Sequence, residues 1–534
     1  MAKAEKIRAS KQAYVSPGQM IMPGFESPFD QHLLPDNRWV RLAQAIPWDQ
    51  LVGVYDRRMH NGLTGASGIN SRVVIGSLMI KHLCNLSDDE TILQIRENVY
   101  MQYFIGYSSF STEAPFDASL FVEIRKRLGI EELNAINEHI HRVHLQHQQK
   151  MGTAESSHEE PDDGPPTDSS GEAGDDRETH KGKLLVDATA CPQEIAYPTD
   201  LKLLNDAREK SEFLIDLLHS GDNNTEEAKP RTYRKKARRD YLRTAQKKKK
   251  SRVEIRSSIR KQLQYLKRNI GHIHTLLDGH ERIPLKRDSY KYLLVIQELY
   301  RQQREMYQTQ SHSIDHRIVS IHQPHVRPIV RGKEKAKVEF GAKINVSLVD
   351  GFTFLDQFSW GAYNEGTLLM DSVHQYRHRW GYWPKQVLAD RIYCSRDNRN
   401  QLKELGIELR AKPLGRPPAV KTEHVRPGER NPIEGKFGQA KNKYGLEKIR
   451  ARLTDTSESW IASIILVLNL VKLTGQVPLA LIFRIIQKTV TLIKPEGLYF
   501  FSRPYLICQL AIHQGGFEYG TCRPASADGI SFIG

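Results

Sequence analysis

The chain has 534 residues, 39% of them hydrophobic, a formal net charge of +15 at pH 7 and a pI near 9.4. That length can bury roughly two to four compact units, which excludes a wholly disordered chain, and the excess of cations points to a polyanionic partner without separating DNA from RNA or a membrane surface. Five scattered cysteines, Cys84, Cys191, Cys394, Cys508 and Cys522, with no Cys-x-x-Cys and no paired histidine spacing, argue against a zinc site or disulfide framework and fit a reducing cytosol. No signal-peptide apolar segment opens the chain.

Residues 1–150 read as an all-α domain that could serve packing, dimerisation or DNA contact. Ser87-Asp88-Asp89-Glu90 is a capping box opening a helix through Arg96, and Val73–Leu83 and Leu120–Leu128 carry apolar helical periodicity. Residues 151–181 hold ten acids between Met151 and His180 against Arg177 alone, which predicts a disordered acidic linker. Lys183–Thr189 reads as a buried strand ending in Asp187.

Residues 201–315 read as a basic helical insertion. Ile255, Ile259, Leu263, Leu266, Ile270, Ile273 and Leu277, then Leu293, Ile296, Leu299 and Met306, predict two helices in a hairpin or short coiled coil. Ahead of them, Lys229–Arg252 contains thirteen basic residues and one acid, a net +12. Arg234, Lys235, Lys236, Arg238, Arg239 and Lys247 to Lys250 are therefore candidate DNA contacts, salt-dependent and largely sequence-independent.

Strands are expected at Arg317–His322, Ala336–Leu348 and Phe352–Phe358, with Val349-Asp350-Gly351 as a hairpin turn. A helix over Glu365–Arg379, a strand Gln386–Asp390, a helix Arg396–Leu405 and a strand Ile407–Ala411 follow. The run after them, through Leu414-Gly415-Arg416-Pro417-Pro418, is a Pro/Gly-rich loop. Trp460–Leu473, interrupted by Ser463, Asn469 and Lys472, falls short of the roughly 20 apolar residues of a membrane span and reads as a buried helix. The outline is a mixed α/β layer split by one large helical insertion after its first strand.

Asp187 and Asp390 stand at expected strand ends, and Arg430, Glu434 and Lys441 are spaced by four and then seven residues, which returns to nearly one helical azimuth. Carboxylates beside cations, with no soft donors, suit Mg2+ or Mn2+ and phosphodiester chemistry. Glu434 has a second reading: with Asn431 as N-cap and Pro432 first in the helix, it would close a capping box.

On these residues the chain resembles the bacterial insertion-sequence transposases of the DDE class, in the group whose third acidic residue carries an Arg-x3-Glu-x6-Lys signature, here Arg430, Glu434 and Lys441. Val186–Thr189, Leu388–Tyr393, Arg327–Lys333 and Glu339–Lys343 agree with it. The stretch Val73–Leu128, with Leu86–Glu90 and Tyr103–Gly106, is similar to the N-terminal helical domain of InsH-type members. One position departs: Pro427 stands where the signature often has a tyrosine.

The resemblance implies an RNase H-like core, formed by residues 182–200 and 316–475 and followed by a C-terminal extension, 476–534. That core would cut transposon ends and join a freed 3′ end to target DNA. It further implies that Asp187, Asp390 and Glu434 are catalytic and bind two Mg2+ or Mn2+ ions, and that Arg430 and Lys441, with Arg331 and Lys333, contact DNA. The implied partners are double-stranded DNA, as terminal inverted repeats and target, and further copies in a homodimer or higher multimer, with no membrane, in the bacterial cytoplasm at the nucleoid. A non-catalytic DNA-binding derivative, or an RNase H-like nuclease that cleaves without joining, is the competing expectation.

Overall fold

The computed structural model describes residues 14, 16, 29, 33–59, 68–155, 180–221, 228–278, 280, 282–330, 338–411 and 428–475. The expectations for Arg331, Lys333, the Gly-Arg-Pro loop, Pro427, most of the acidic linker and the C-terminal extension lie outside the described residues.

Residues 33–155 supply helices α1 (Arg38–Ala45), α2 (Trp48–Asp56), α3 (Ser71–Leu83), α4 (Asp88–Glu97), α5 (Val99–Phe104), α6 (Leu120–Arg127) and α7 (Ile130–Glu155). Their starts follow local chemistry. The Asn70 side chain accepts from the Arg72 amide at 2.9 Å, and Ser87 Oγ accepts from the Glu90 amide at 3.1 Å to open α4. The last described turn of α7 runs past residue 150 into the stretch expected to be linker.

The sheet is built from β1 (Lys183–Pro192), β2 (Arg327–Val330), β3 (Val338–Val349), β4 (Phe352–Ser359), β5 (Gln386–Leu388) and β6 (Glu408–Arg410). β1 pairs antiparallel with β3 and parallel with β5, β5 pairs parallel with β6, and β4 and β2 pair antiparallel with β3. The expected hairpin forms, with Asp350 at φ 50° and Gly351 at φ 83° between the paired Val349 and Phe352, the two positive angles of a type I′ turn. At the far end of the β1 and β3 ladder, a Cβ on Gly341 would stand 2.1 Å from the Cys191 carbonyl oxygen, so only glycine permits that crossing.

The strand expected at Arg317–His322 is absent. Ile318 and Ile321 are buried against the helical insertion, and the Ile318 amide donates to Gln302 Oε1 at 2.9 Å; the apolar residues anchor an irregular segment, and its backbone bonds to a side chain instead of a ladder. The insertion also differs from a two-helix coil. Helices α8 (Asp200–Gly221), α9 (Arg234–Ala245), α10 (Arg252–Asp278) and α11 (Arg287–Thr309) form a bundle, in which Leu204, Ala207, Leu214 and Ile215 of α8 pack with Leu266 and Ile273 of α10 and Ile296 and Leu299 of α11. Helix α8 lies within the stretch expected to be helical, and its apolar side chains add a third packed face to the two expected helices.

After β4 come a 3-10 turn (Glu365–Leu368), α12 (Leu369–Trp380), a 3-10 turn (Arg391–Tyr393), α13 (Arg396–Glu404), α14 (Asn431–Tyr444) and α15 (Thr454–Leu473). Helix α15 joins the N-terminal helices to the sheet in one apolar core that runs from Trp48, Leu78 and Phe121 through Ile464 and Leu468 to Val186, Ile344 and Phe352. By length and composition α15 could cross a membrane, yet 78% of its apolar window is buried inside the protein. Its buried Asn469 is fully bonded there: Oδ1 accepts from the Thr353 amide (2.7 Å) and hydroxyl (2.9 Å), and Nδ2 donates to the Thr353 carbonyl (2.8 Å) and to Asn137 (3.1 Å). One side chain thereby ties α7, β4 and α15.

Candidate active site

Asp187 lies in the middle of β1, not at its end as the sequence suggested. The partner strand β5 ends first, since only Lys183 to Leu185 pair with it, so beyond Leu185 one edge of β1 is open. Asp390 stands two residues beyond the end of β5, and its side chain accepts from the Arg391 amide at 2.7 Å to start the 3-10 turn. Both aspartates therefore stand just past the same strand end, each two residues beyond a leucine of one sheet face, Leu185 and Leu388.

Those two leucines, with Leu348, bury Ile433 completely, and Phe437 packs beside them. This apolar contact lays α14 across the strand ends, and Glu434, exposed, is the residue that follows Ile433 on that helix. Arg430 has helical backbone angles (φ −92°, ψ −12°) and occupies the cap position itself, with no side chain capping the helix. Asn431 is thus not the cap, Glu434 stands one position beyond that of a capping-box glutamate, and the capping reading of Glu434 does not hold. Arg430, Glu434 and the half-buried Lys441 share one helical stripe.

Arg430 links the two aspartates. Its Nη2 lies 3.2 Å from Asp187 Oδ2 and its Nη1 3.2 Å from Asp390 Oδ1. Asp187 is 18% exposed and Asp390 56%. Burial pushes the Asp187 carboxyl up to about 6; the Ala188 amide and Arg430 pull it down, and the charges of Glu365 and Asp390 push it further up. Among the described residues no three His, Cys, Asp or Glu side chains are grouped as a ready ion site. The donors nevertheless suit a hard cation: two carboxylates already share one cationic partner, and the more buried of them is held above its ordinary range chiefly by burial.

Glu365 is a residue that sequence reasoning missed. Its turn is pressed against the Asp390 loop, for a Cβ on Gly366 would lie 2.6 Å from the Ile392 carbonyl oxygen, and Asn398 Nδ2 donates to the carbonyls of both Gly366 (2.6 Å) and Tyr393 (2.8 Å). Lys343 neutralises it at 2.8 Å. Asn364, whose side chain accepts from the Gly366 amide at 3.1 Å, is the one local signal of this turn, and it does not reveal the neighbour.

In the insertion, Ala237 and Thr244 face α10, through Gln262 donating to the Ala237 carbonyl at 3.0 Å and a 2.6 Å bond between Thr244 and Ser258. Lys235, Lys236, Arg238 and Arg239 are consequently exposed, as are Lys248, Lys249 and Lys250. Arg234 and Lys247 are engaged by Asp216 and Glu254. Trp360 and Trp380 are packed side chains, the first donating to Glu458 at 2.9 Å and the second against Tyr376 and Phe354. His325 meets the Trp360 ring edge to face and is held down at about 4 by burial.

Comparison with known proteins follows the same residues. Residues 387–471, which include Asp390, Arg430, Glu434 and Lys441, match the family model described as "Transposase DDE domain", and residues 27–127, covering α1 to α6, match "Transposase domain (DUF772)". Asp187 lies outside both matched segments. The chain is also 30% identical over 182 residues to "Uncharacterized protein ORF8 in nfe locus" of Rhizobium meliloti, a stretch covering 34% of this chain and 73% of that protein. No solved structure matches the chain. With the two transposase segments in order along one sequence, the chain belongs to the insertion-sequence transposases that carry a DDE domain.

Proposed function

We propose that this transposase cuts DNA at transposon ends and transfers the freed 3′ end to target DNA, with Asp187, Asp390 and Glu434 as its ion-binding carboxylates. The observation that carries the reading is the junction of Asp187 and Asp390, from distant parts of the chain, on one guanidinium of the helix that bears Glu434. An RNase H-like core is supported by the sheet itself, in which a central β1 has an antiparallel pair on one side and two parallel strands on the other.

Mg2+ or Mn2+ held by the three carboxylates would polarise the scissile phosphate and activate the attacking hydroxyl or water. The chain's own part is to hold that phosphate through Arg430 and Lys441, and to keep the Asp187 carboxylate partly dry so that its charge acts at full strength. The helices of residues 33–155 would bind transposon ends or pair copies of the chain. A multimer in the bacterial cytoplasm is the expected working form, since two ends must be brought together.

A cleavage and strand-transfer assay on the element's terminal DNA with Mg2+ or Mn2+ tests the proposal. Nicked ends and joined products from the native chain, and neither from the Asp390→Asn or Glu434→Gln variants that still bind DNA, are the expected result. Hydrolysed ends without joints would make the protein a nuclease, and binding without cut products a DNA-binding derivative.

The exposed lysines of the insertion give an independent prediction. Replacing Lys248, Lys249 and Lys250 by alanine should lower the slope of log affinity against log salt by about 2 to 3, since each phosphate contact adds about 0.9. An unchanged slope in a filter-binding titration would show that this run does not touch DNA.

A further inference from the structure

Among the described residues Arg430 is the side chain that touches both aspartates, and the manner of its hold suggests what it does. Its two terminal nitrogens go to different carboxylates, 3.2 Å from Asp187 Oδ2 and 3.2 Å from Asp390 Oδ1. Charge-assisted bonds of this kind close to about 2.7–2.9 Å when unconstrained, so neither contact is tight. The side chain is only 19% exposed, and its Nε is buried without a hydrogen-bond partner. Each aspartate has a second claim on it: the Ala188 amide donates to Asp187 Oδ1 at 2.9 Å, and the Arg391 amide donates to Asp390 Oδ1 at 2.7 Å.

A divalent cation would draw on the same two carboxylates, and at Asp187 both oxygens are already engaged, Oδ1 by the Ala188 amide and Oδ2 by Arg430, so cation and guanidinium compete there. A phosphodiester offers the guanidinium a better partner than two loosely held aspartates. It can take two parallel N–H donors at once and would use the donor that Nε leaves idle.

We propose that Arg430 is a clasp that makes cation loading of Asp187 and Asp390 conditional on DNA. A backbone phosphate draws the guanidinium away, and the carboxylates are then released to the ion. Coupling of this sort is reciprocal, so the ion tightens DNA binding by the factor by which DNA tightens ion binding. The proposal rests on reading the two aspartates as the ion-binding pair of the DNA-cutting centre. Its consequence is that the protein would not assemble a competent cutting centre away from DNA.

The test is Mn2+ binding by electron paramagnetic resonance, with and without a short duplex of the element's terminal DNA, on the full chain and on Arg430→Gln and Arg430→Lys. The native chain should bind Mn2+ about tenfold more tightly with the duplex, within the usual range of coupling between sites. Arg430→Gln should bind Mn2+ without DNA about as tightly as the native chain does with it. Arg430→Lys keeps the charge but cannot bridge both carboxylates, and should follow the glutamine variant. If the lysine variant instead behaves as the native chain, a diffuse electrostatic effect is at work and the clasp is overturned. Equal Mn2+ affinity in all three proteins overturns it as well and leaves the ion centre standing. No Mn2+ binding by the native chain under either condition, or binding undiminished in Asp187→Asn, removes the ion-centre reading on which the clasp depends.

Discussion

Asp187→Asn is expected to abolish cleavage and joining while making the ion-free protein more resistant to heat. Loss of an ion-binding carboxylate removes several kcal/mol of transition-state stabilisation, about a thousandfold or more in rate. The stability gain follows from the carboxyl being held at about 6 against an ordinary 3.8, chiefly by burial. For an acid whose folded value is raised, the folded state is favoured while the group is protonated. That advantage is lost as pH climbs from the unfolded value through about 6. At neutral pH the cost approaches about 3 kcal/mol, at 1.36 kcal/mol per unit. Asparagine keeps the shape without the charge, and loses the contact with Arg430, so a net gain of about 1–3 kcal/mol is expected.

Melting curves in chelator, set beside the cleavage assay, measure both effects. Mn2+ added together with the terminal duplex should raise the melting temperature of the native chain beyond the effect of the duplex alone, and should add nothing for Asp187→Asn. A variant that is both inactive and less stable would show that Asp187 serves the fold and not the chemistry.

The second large effect concerns a buried charge away from the site. In β4 the ladder shifts between Asn345 and Val346, which leaves Asp356 as the extra residue of a bulge. Its side chain is 1% exposed and is met by Arg379 at 2.7 Å and by Ser347 at 3.0 Å. Arg379 also reaches Glu138 of α7 at 3.1 Å, so it fastens the N-terminal helices to the sheet. Arg379→Met keeps the volume and removes the partner. The variant should unfold about 3–5 kcal/mol more easily in denaturant at neutral pH, the usual result of stranding one member of a buried pair.

The pH dependence identifies the cause. Burial already pushes the Asp356 carboxyl up, and Arg379 is the main charge pulling it down. Without Arg379 it rises further, so on acidification the variant's Asp356 takes up a proton and its penalty disappears. The gap between the two proteins should narrow as pH falls. A gap constant with pH would mean that lost packing, and not the stranded charge, destabilises the variant.

Much of this molecule could be read from local pattern. Ser87 and Glu90 announced α4, Asp350-Gly351 announced the hairpin turn, and the density of lysine and arginine after residue 229 gave α9 and the loop behind it their exposed cations. Each of these depends on residues within a few positions of one another, where capping, turn angles and charge repulsion act directly. The spacing of Arg430, Glu434 and Lys441 belongs to the same class, for a helix converts interval into azimuth without help from the rest of the chain. The family was accessible for this reason.

What failed or stayed open in the sequence was decided across distance. Arg317–His322 is rich in β-branched residues like a strand, but its isoleucines pack into the insertion bundle. Glu434 fitted a capping box until Ile433, docking on Leu185, Leu348 and Leu388, fixed where α14 begins to turn. Asp187 looked like a strand end, and became one only in relation to the shorter β5 beside it. Glu365 carried no signal of its own and entered the site because Gly366 lets its turn lie against Ile392. Local sequence determines the conformations a segment prefers and the charges it carries; which oxygen faces which cation is settled by burial, since the apolar contacts that place the backbones act over whole faces and leave the polar groups to pair as they are set down.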